Sequence, residues 1–358
     1  MKCLFIFYVL LSQNLVDSIL DLDLNDYYSS YLEDPEMTQK HCVCVPFWQC
    51  NDDLSDLDTD IEIIDVRLHE PKSPSACTGY FDVCCKVECG RRESSIESAI
   101  MENRILGKNN RADFAEFPWM LGILKGQAYK CGASLIHPKV ALTAAHCVQA
   151  KAKYTIRAGE WHWEHSNEPL PHQDREVESI ITHPRFHPGS LRNDIALLIL
   201  NAPFKLTKNV GIVCLPPRNL RVDIKRCVAS GWGKNSFRKG SYQAVLKKVT
   251  LPIMPSSQCV TVLRDAMLGR TFTLHGSFIC AGGEPNKDTC KGDGGGPLIC
   301  PILGQNGRYE QIGIVSWGLT CGLSNTPGVY VNVMIFSEWI DTEMIRLDLD
   351  IDLYKYKY

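Results

Sequence analysis

Seventeen cysteines in a chain of 358 residues limit the possible folds more than any other feature of this sequence. Disulfides persist in oxidising compartments and are rare in the cytosol, so this density of cysteine predicts an exported protein. Residues 1–18, MKCLFIFYVLLSQNLVDS, have the form of a signal peptide, with a short apolar run before small residues suited to cleavage. An N-terminal core strand is the alternative. Removal of the signal takes Cys3 away and leaves sixteen cysteines, an even number that allows complete pairing.

The overall composition argues for a globular protein with no nucleic-acid partner. Hydrophobic residues make up 45% of the chain, and the formal net charge is −3. A chain so close to neutral has no strong field to attract nucleic acid. After the signal peptide, no stretch approaches the roughly 20 apolar residues that span a bilayer. We therefore expect a secreted, extracellular protein with no membrane span.

Cysteine spacing and charge divide the N-terminal part of the chain. An acidic leader over 19–41 shows no sustained apolar period. Six cysteines follow over 42–85, in HCVCVPFWQC and ACTGYFDVCC, and a unit this short needs disulfides to hold it together. Zinc is the alternative for closely spaced cysteines, but the adjacent pair Cys84 and Cys85 in an exported chain argues against it. A charged linker over 86–104 carries one further cysteine.

Residues 105–346 are typical of an all-β domain. Short β-rich runs, KVALTAAHCV, DIALLIL, RYEQIGIVSW and GVYVNV, alternate with turns that contain Gly and Pro, which favours a barrel or a sandwich. The segment FSEWIDTEMIRL predicts a closing helix, with an apolar face made by Phe336, Trp339, Ile340 and Met344. The tail over 347–358 alternates at period two. An isolated strand is marginally stable, so we expect this tail to be frayed or paired with another element.

Several short motifs supply groups that acyl-transfer hydrolysis requires. That chemistry uses a hydroxyl nucleophile, an imidazole that takes its proton, a carboxylate that orients the imidazole, and N–H donors for the oxyanion. TAAHC contains His146 and NDIALL contains Asp194. Either residue alone is more often structural, but in this order with GDGGGPL and SWG they form a strong signature.

These motifs make residues 105–346 resemble the chymotrypsin-like serine proteases. The resemblance implies an all-β, chymotrypsin-like double β-barrel with a C-terminal helix. In that family the stretch that here reads GDGGGP is GDSGGP, and its serine is the nucleophile, whereas this chain has Gly294 at the position of the serine. Neither Lys291 nor the neighbouring glycines supply another hydroxyl. The resemblance therefore implies a pseudoprotease that keeps His146 and Asp194, and water attack assisted by His146 is the remaining route to activity.

The same resemblance assigns binding groups around the missing nucleophile. Asp288 corresponds to the floor of a pocket that accepts Arg or Lys, and Gly318 and Gly328 line its walls. The N–H groups of Gly292 and Gly294 correspond to the oxyanion donors, and glycine keeps its N–H. One expectation is a pocket that holds a basic side chain without cutting after it. The alternative is an inherited remnant that collapsed loops block.

An activation site is also implied at the start of the protease-like domain. NRILGKN resembles the family's cleavage site, with Arg104 before the cut and Ile105 as the new N-terminus. In the family the freed amine pairs with the carboxylate just before the nucleophile, which here is Asp293, and the buried ion pair organises the pocket loops. An Arg–Ile bond that is never cut is the alternative.

Family patterns pair all sixteen cysteines. The N-terminal six resemble an arthropod clip domain, which implies the bonds Cys42 with Cys84, Cys44 with Cys77, and Cys50 with Cys85. The protease-like pattern joins Cys131 with Cys147, Cys227 with Cys300, Cys259 with Cys280, and Cys290 with Cys321. Cys89 and Cys214 are then the natural remaining partners. Their bond would keep the front of the chain attached after cleavage at Arg104.

A small disulfide-rich clip domain before a protease-like domain with glycine for serine resembles the non-catalytic clip-domain serine protease homologues, including masquerade-like cofactors of prophenoloxidase activation. The resemblance implies a secreted protein of haemolymph or venom in innate immunity. Its partners would be proteins of the melanisation cascade, namely prophenoloxidase and clip-domain proteases, or a microbial surface. A cofactor and a venom-type inhibitor or decoy both stay open. A cell-adhesion or matrix-attachment protein and an active trypsin-like protease are the alternatives, and no cofactor or metal is implied.

Overall fold

The structure is a computed structural model that describes residues 42–46, 82–92, 110–165, 167–217, 219–234, 236, 240–285, 287–321 and 325–357. The chain forms two compact units, Met1–Val87 and Glu88–Tyr358. The predicted signal peptide, the acidic leader, and the bond between Arg104 and Ile105 lie outside the described residues. Within the described ranges, no helix is long and apolar enough to cross a bilayer.

The smaller unit contains a two-stranded antiparallel ribbon. Strands β1 (Cys42–Pro46) and β2 (Asp82–Lys86) pair so that Cys44 lies opposite Cys84. Strand β1 contains two valines and β2 contains one, and the branched side chain of valine favours the pleated conformation. The three bonds predicted for this unit lie outside the described side chains and stay predictions: Cys42 with Cys84, Cys44 with Cys77, and Cys50 with Cys85.

Six strands of the larger unit close into a barrel: β3 (Met120–Lys125), β4 (Ala128–His137), β5 (Val140–Thr143), β6 (Tyr154–Ala158), β7 (Gln173–Thr182) and β8 (Ala196–Leu200). The order is β3-β4-β5-β8-β7-β6, and β3 closes the ring by pairing with β6. The sequences VALT of β5 and ALLIL of β8 are buried along their whole length. The side chains of β7 alternate in exposure along its first half, as expected for a strand with one face in solvent.

Seven further strands form a second antiparallel sheet: β9 (Cys227–Gly231), β10 (Lys247–Leu251), β11 (Ile253–Met254), β12 (Phe278–Gly282), β13 (Pro297–Pro301), β14 (Tyr309–Trp317) and β15 (Pro327–Asn332). Their order is β10-β9-β13-β14-β15-β12-β11. Leu298, Ile312 and Tyr330 are central members of the core that this sheet encloses. The prediction of an all-β, chymotrypsin-like fold is confirmed.

Among the described residues, two α-helices accompany the sheets. Helix α1 (Ser256–Leu263) continues into a π-helical turn at Arg264–Leu268. Helix α2 (Ser337–Arg346) is the predicted closing helix, and it follows a 3-10 turn at Val333–Phe336. The apolar face includes the buried residues Phe336, Ile340 and Met344, while Trp339 is half-buried.

The C-terminal tail is fixed on the larger unit. It forms a 3-10 turn, Asp352–Tyr354, and Tyr354 is 1% exposed. The Tyr354 carbonyl accepts a hydrogen bond from the Leu215 N–H (2.8 Å), and its hydroxyl donates to Asp341 Oδ1 (2.7 Å). Of the two expectations for the tail, the paired one holds, although the tail forms a turn and a single bridge rather than a strand.

Five disulfides cross-link described residues of the larger unit: Cys89–Cys214, Cys131–Cys147, Cys227–Cys300, Cys259–Cys280 and Cys290–Cys321. The first of them fixes residues of the segment predicted as a linker. Arg92, three residues further, is ion-paired with the fully buried Glu116 and donates to the Tyr309 hydroxyl (2.8 Å). The segment predicted as a linker is therefore attached to the rest of the larger unit as far as Arg92.

Candidate functional site

His146 and Asp194 lie side by side at the ends of paired barrel strands. A 3-10 turn that follows β5 carries His146, and Asp194 comes just before β8, the partner of β5. Asp194 is fully buried and accepts hydrogen bonds from the His146 backbone N–H (2.8 Å) and from Nδ1 (2.7 Å). A carboxylate on Nδ1 fixes the tautomer of the ring and directs Nε2 to the opposite side.

Ser316 on β14 supplies a third hydrogen bond to this carboxylate. Its hydroxyl donates to Asp194 Oδ2 over 2.6 Å, the same oxygen that His146 Nδ1 contacts. A buried carboxylate is stable only when its oxygens are satisfied in this way. Ser316 belongs to the SWG motif of the signature, but the sequence did not predict its contact with Asp194.

Gly294 lies directly against the imidazole of His146. A Cβ added at Gly294 would be 2.8 Å from His146 Nε2 and 3.3 Å from Cε1, closer than such atoms normally approach. The nitrogen that would activate a nucleophile therefore fills part of the volume where a side chain at position 294 would begin. Among the described residues, the Cys147 sulfur lies within hydrogen-bond distance of Nε2, at 3.6 Å. No described hydroxyl takes the place of the missing serine.

The loop before β13 holds the two predicted oxyanion donors. Within the part of the chain that the structure describes, the N–H groups of Gly292 and Gly294 donate to no backbone carbonyl. The N–H groups of the neighbouring residues are hydrogen-bonded: that of Asp293 donates to the Cys290 carbonyl (3.0 Å), and that of Gly295 donates to the Val315 carbonyl (2.8 Å). The turn is thus fixed by the intervening residues, which leaves these two N–H groups available.

Two tyrosines fix the conformation of Gly292. Its φ of +101° is one that side chains rarely adopt, and an added Cβ would lie 2.5 Å from the Tyr242 ring. The Tyr129 hydroxyl donates to the Gly292 carbonyl (3.0 Å), and the Tyr129 ring contacts Tyr242 edge-on. Burial, with a smaller contribution from the nearby Asp293 carboxylate, raises the pKa of Tyr129, so its hydroxyl stays a donor at physiological pH. No motif of the sequence predicted this role for Tyr129.

The structure brings Asp288 and Gly328 together. The Asp288 Oδ1 atom lies 3.1 Å from the point that an added Cβ at Gly328 would occupy, so glycine on β15 leaves room for this carboxylate. Gly318, just after β14, is exposed, and an added Cβ there would meet nothing nearer than the Thr320 carbonyl at 3.5 Å. Burial and, to a lesser extent, the Asp288 charge raise the pKa of the adjoining Tyr330 hydroxyl.

Asp293 is a buried carboxylate that faces a cavity. It accepts hydrogen bonds from the N–H groups of Gly233 (2.7 Å) and Cys290 (2.8 Å), and within the described residues it has no cationic partner. Burial raises its pKa to about 6. The cavity measures about 320 Å³, and Asp288, Asn110 and Lys248 also line it.

The disulfide Cys131–Cys147 borders the same site. The Cys147 sulfur lies 3.5 Å from the Gly294 carbonyl and 3.6 Å from His146 Nε2. Cys131, His146 and Cys147 are close enough together to ligate one metal ion. The two sulfurs are bonded to each other, however, and a disulfide does not offer the thiolates that bind metals.

Comparisons with known proteins identify the family. Residues 106–340 match the family model described as Trypsin. The chain belongs to the trypsin family. Residues 33–86 match the model described as Serine protease Clip domain PPAF-2, so this trypsin-family chain is a clip-domain serine protease homologue, as the motifs predicted.

Three relatives illustrate where this clip-domain homologue stands in the family. Phenoloxidase-activating factor 2 of Galleria mellonella is 49% identical over 269 residues, which cover 71% of this chain and 89% of the relative. Inactive CLIP domain-containing serine protease A3 of Aedes aegypti is 37% identical, with 85% of this chain and 67% of the relative covered. Protein masquerade of Drosophila melanogaster is 35% identical over 66% of this chain and 23% of the relative.

Proposed function

We propose that this clip-domain homologue is a secreted, catalytically inactive protein that regulates the prophenoloxidase cascade by binding its components. The observation that carries the proposal is the contact between His146 and Gly294: an intact, oriented imidazole faces a residue with no side chain. The relatives support this, because several are named inactive and one is named a phenoloxidase-activating factor.

The absence of a hydroxyl at position 294 removes the covalent step of proteolysis. An acyl-enzyme needs a nucleophile whose proton Nε2 can take, and the sulfur next to Nε2 belongs to a disulfide. Loss of the corresponding serine in subtilisin lowers kcat by a factor on the order of 10⁶. The remaining groups, Asp194 and Ser316 behind the ring and the N–H groups of the loop, are suited to binding.

We propose further that the effect on melanisation is activation. The support is the 49% identity to phenoloxidase-activating factor 2, which extends over 89% of that protein. A venom-type inhibitor would use the same docking surfaces with the opposite result. The two effects differ in sign, so a rise or a fall of phenoloxidase activity distinguishes them.

Cleavage between Arg104 and Ile105 is the proposed switch. Asp293 is buried without a described cation and lines a cavity next to Asn110. Asn110 is five residues after Ile105, a stretch of chain that spans at most about 18 Å. A new amine at Ile105 can therefore reach the cavity and pair with Asp293, which would organise the pocket loops without creating any catalytic group.

Phenoloxidase activity in arthropod haemolymph tests the proposal. The purified protein, before and after cleavage at Arg104, is added to haemolymph with a limiting amount of elicitor. We expect the cleaved form to raise phenoloxidase activity and an uncleavable Arg104→Gln variant to raise it less. A fall in activity would identify a decoy or inhibitor. No effect, combined with binding to cell surfaces, would favour the adhesion function instead.

A further inference from the structure

Residues 117–159 carry positive charge only, in a chain whose formal net charge is −3. They contain five lysines and one arginine but no Asp or Glu. Two of these six cations are neutralised from β7: Lys139 lies 3.9 Å from Glu178, and Arg157 lies 2.8 Å from Asp174. Within the part of the chain that the structure describes, the other four form no ion pair: Lys125, Lys130, Lys151 and Lys153.

These four lysines lie on segments that meet at one end of the barrel. Lys125 is the last residue of β3, and Lys130 is near the start of β4. Lys151 and Lys153 are in the loop that precedes β6. Strand β3 pairs antiparallel with both β4 and β6, so its last residue meets the starts of these two strands. We call the four residues the lysine surface.

Tyr154, the first residue of β6, holds these segments together. It is 2% exposed and lies opposite Lys125 in the register of the two strands. Its hydroxyl accepts a hydrogen bond from Lys130 Nζ (3.3 Å) and donates to the Ala150 carbonyl (2.9 Å), next to Lys151 in the chain. One buried side chain therefore contacts all three segments that carry the lysines.

The lysine surface faces solvent. Three of its side chains are exposed, and Lys130 is half-buried. Gly126, in the turn between β3 and β4, is also exposed, and a Cβ added there would meet nothing within 4 Å. On β7, Glu176 lies opposite Thr155, so it is on the other face of β6 from Tyr154. Like charges that stand together in this way attract anionic ligands.

The make-up of the lysine surface favours a charged polymer over a protein partner. The centres of protein interfaces are enriched in aromatic residues, Met and Arg, and are depleted in Lys. Among residues 117–159, no large hydrophobic side chain is exposed in the structure. A lysine ammonium is a hydrated point charge, without the planar fork with which arginine recognises a single carboxylate or phosphate. Several such charges together suit a ligand with many closely spaced anions.

We propose that the lysine surface binds a sulfated polysaccharide. Sulfate esters on successive sugars supply closely spaced charges that stay ionised at physiological pH. The inference goes beyond the proposed regulatory function and does not depend on it, because it concerns a glycan and not a protein of the cascade. Binding at this end of the barrel would hold the chain on a surface that carries sulfated glycans.

Biolayer interferometry with immobilised polymers tests the inference. The polymers are heparin, heparin after removal of its sulfates, a teichoic acid and polyglutamate, and each is titrated with the full chain at about 0.15 M ionic strength. We expect heparin to bind at least about tenfold tighter than the other three, and its affinity to fall as salt screens the exposed charges. Tighter binding to polyglutamate would indicate an acidic protein segment, and tighter binding to teichoic acid a phosphate polymer. Either result, or no binding to heparin, overturns the inference.

A pair of charge-matched variants locates the binding surface. The double variant Lys151→Gln, Lys153→Gln should bind heparin at least about tenfold more weakly, because each lysine beside a dense array of anions contributes to binding. The matched control, Lys139→Gln, Lys205→Gln, removes the same charge near the opposite end of the barrel, where β4 and β8 end. It should change the affinity by less than about twofold, since charges further away than a Debye length are screened. An equal loss in the two double variants would show that net charge alone drives binding, and would overturn the inference.

Discussion

His146 Nε2 lies 2.8 Å from the point that a Cβ on Gly294 would occupy. The imidazole thus fills space that the side chain of a nucleophile would need, while its other nitrogen stays bonded to Asp194 over 2.7 Å. The observed position of the ring is therefore compatible with glycine at position 294 and not with a larger residue, unless the ring moves. Substitutions at position 294 should therefore affect the histidine as well as the chemistry.

Gly294→Ala should destabilise the protein through this contact. The added methyl group must displace the ring, which strains the hydrogen bond between Nδ1 and Asp194, and loss of one such bond costs about 1–3 kcal/mol. Gly276→Ala is the matched control, because nothing lies within 4 Å of an added Cβ there. Urea unfolding should show a lower free energy of unfolding for Gly294→Ala than for the control. Equal values would contradict the contact.

The buried Asp293 should make the uncleaved protein less stable as the pH rises. Burial raises its pKa from 3.8 to about 6, so the folded state favours the protonated form. Its stabilising contribution is full below about pH 4 and is lost as the pH rises through 6. Between pH 4.5 and 7.5 the wild type should lose about 2 kcal/mol more than Asp293→Asn, measured from urea midpoints. Identical pH dependence in the two proteins would refute this.

The bond between Cys89 and Cys214 should keep the front of the chain attached after cleavage at Arg104. Both cysteines are buried in the larger unit, and Cys89 precedes the cleavage site. On a denaturing gel, the cleaved protein should run as one species without reductant and as two with it. A Cys89→Ser, Cys214→Ser double variant should separate under both conditions. Two species from the wild type without reductant would rule out the tether.

Tyr354 should be the residue that holds the C-terminal tail on the larger unit. Tyr354→Phe removes only the hydroxyl bonded to Asp341 and should cost about 1 kcal/mol. Tyr354→Ala removes a fully buried ring and should cost about 3–5 kcal/mol. Ile345→Ala, at a residue that is 63% exposed, is the control and should change stability by less than about 0.5 kcal/mol. A cost for Tyr354→Ala no larger than for the control would show that the tail contributes nothing.

The sequence predicted the fold and the position of the site because short motifs, in a fixed order along the chain, are typical of both. His146, Asp194 and Gly294 each stand in a motif whose order along the chain indicates one arrangement, and the structure places the three together. The missing hydroxyl is a property of one residue, so the sequence alone reveals it.

The sequence could not predict contacts that join distant strands. Ser316 is 122 residues from Asp194, and Tyr129 is 163 residues from Gly292, so no local pattern connects either pair. The tail was ambiguous for a similar reason, because the burial of Tyr354 depends on Leu215 and Asp341. Arg92 stood in a charged segment that was predicted as a linker, and only the fold places it beside Glu116.

The intact mass of the Arg104-cleaved protein after incubation with a fluorophosphonate tests the central claim most directly. Such reagents add covalently to an activated serine. The wild type should keep its mass, because Gly294 offers no hydroxyl to the oriented imidazole, while Gly294→Ser should slowly gain one adduct. An adduct on the wild type that disappears in His146→Ala would contradict the account, because it would reveal a nucleophile at this site.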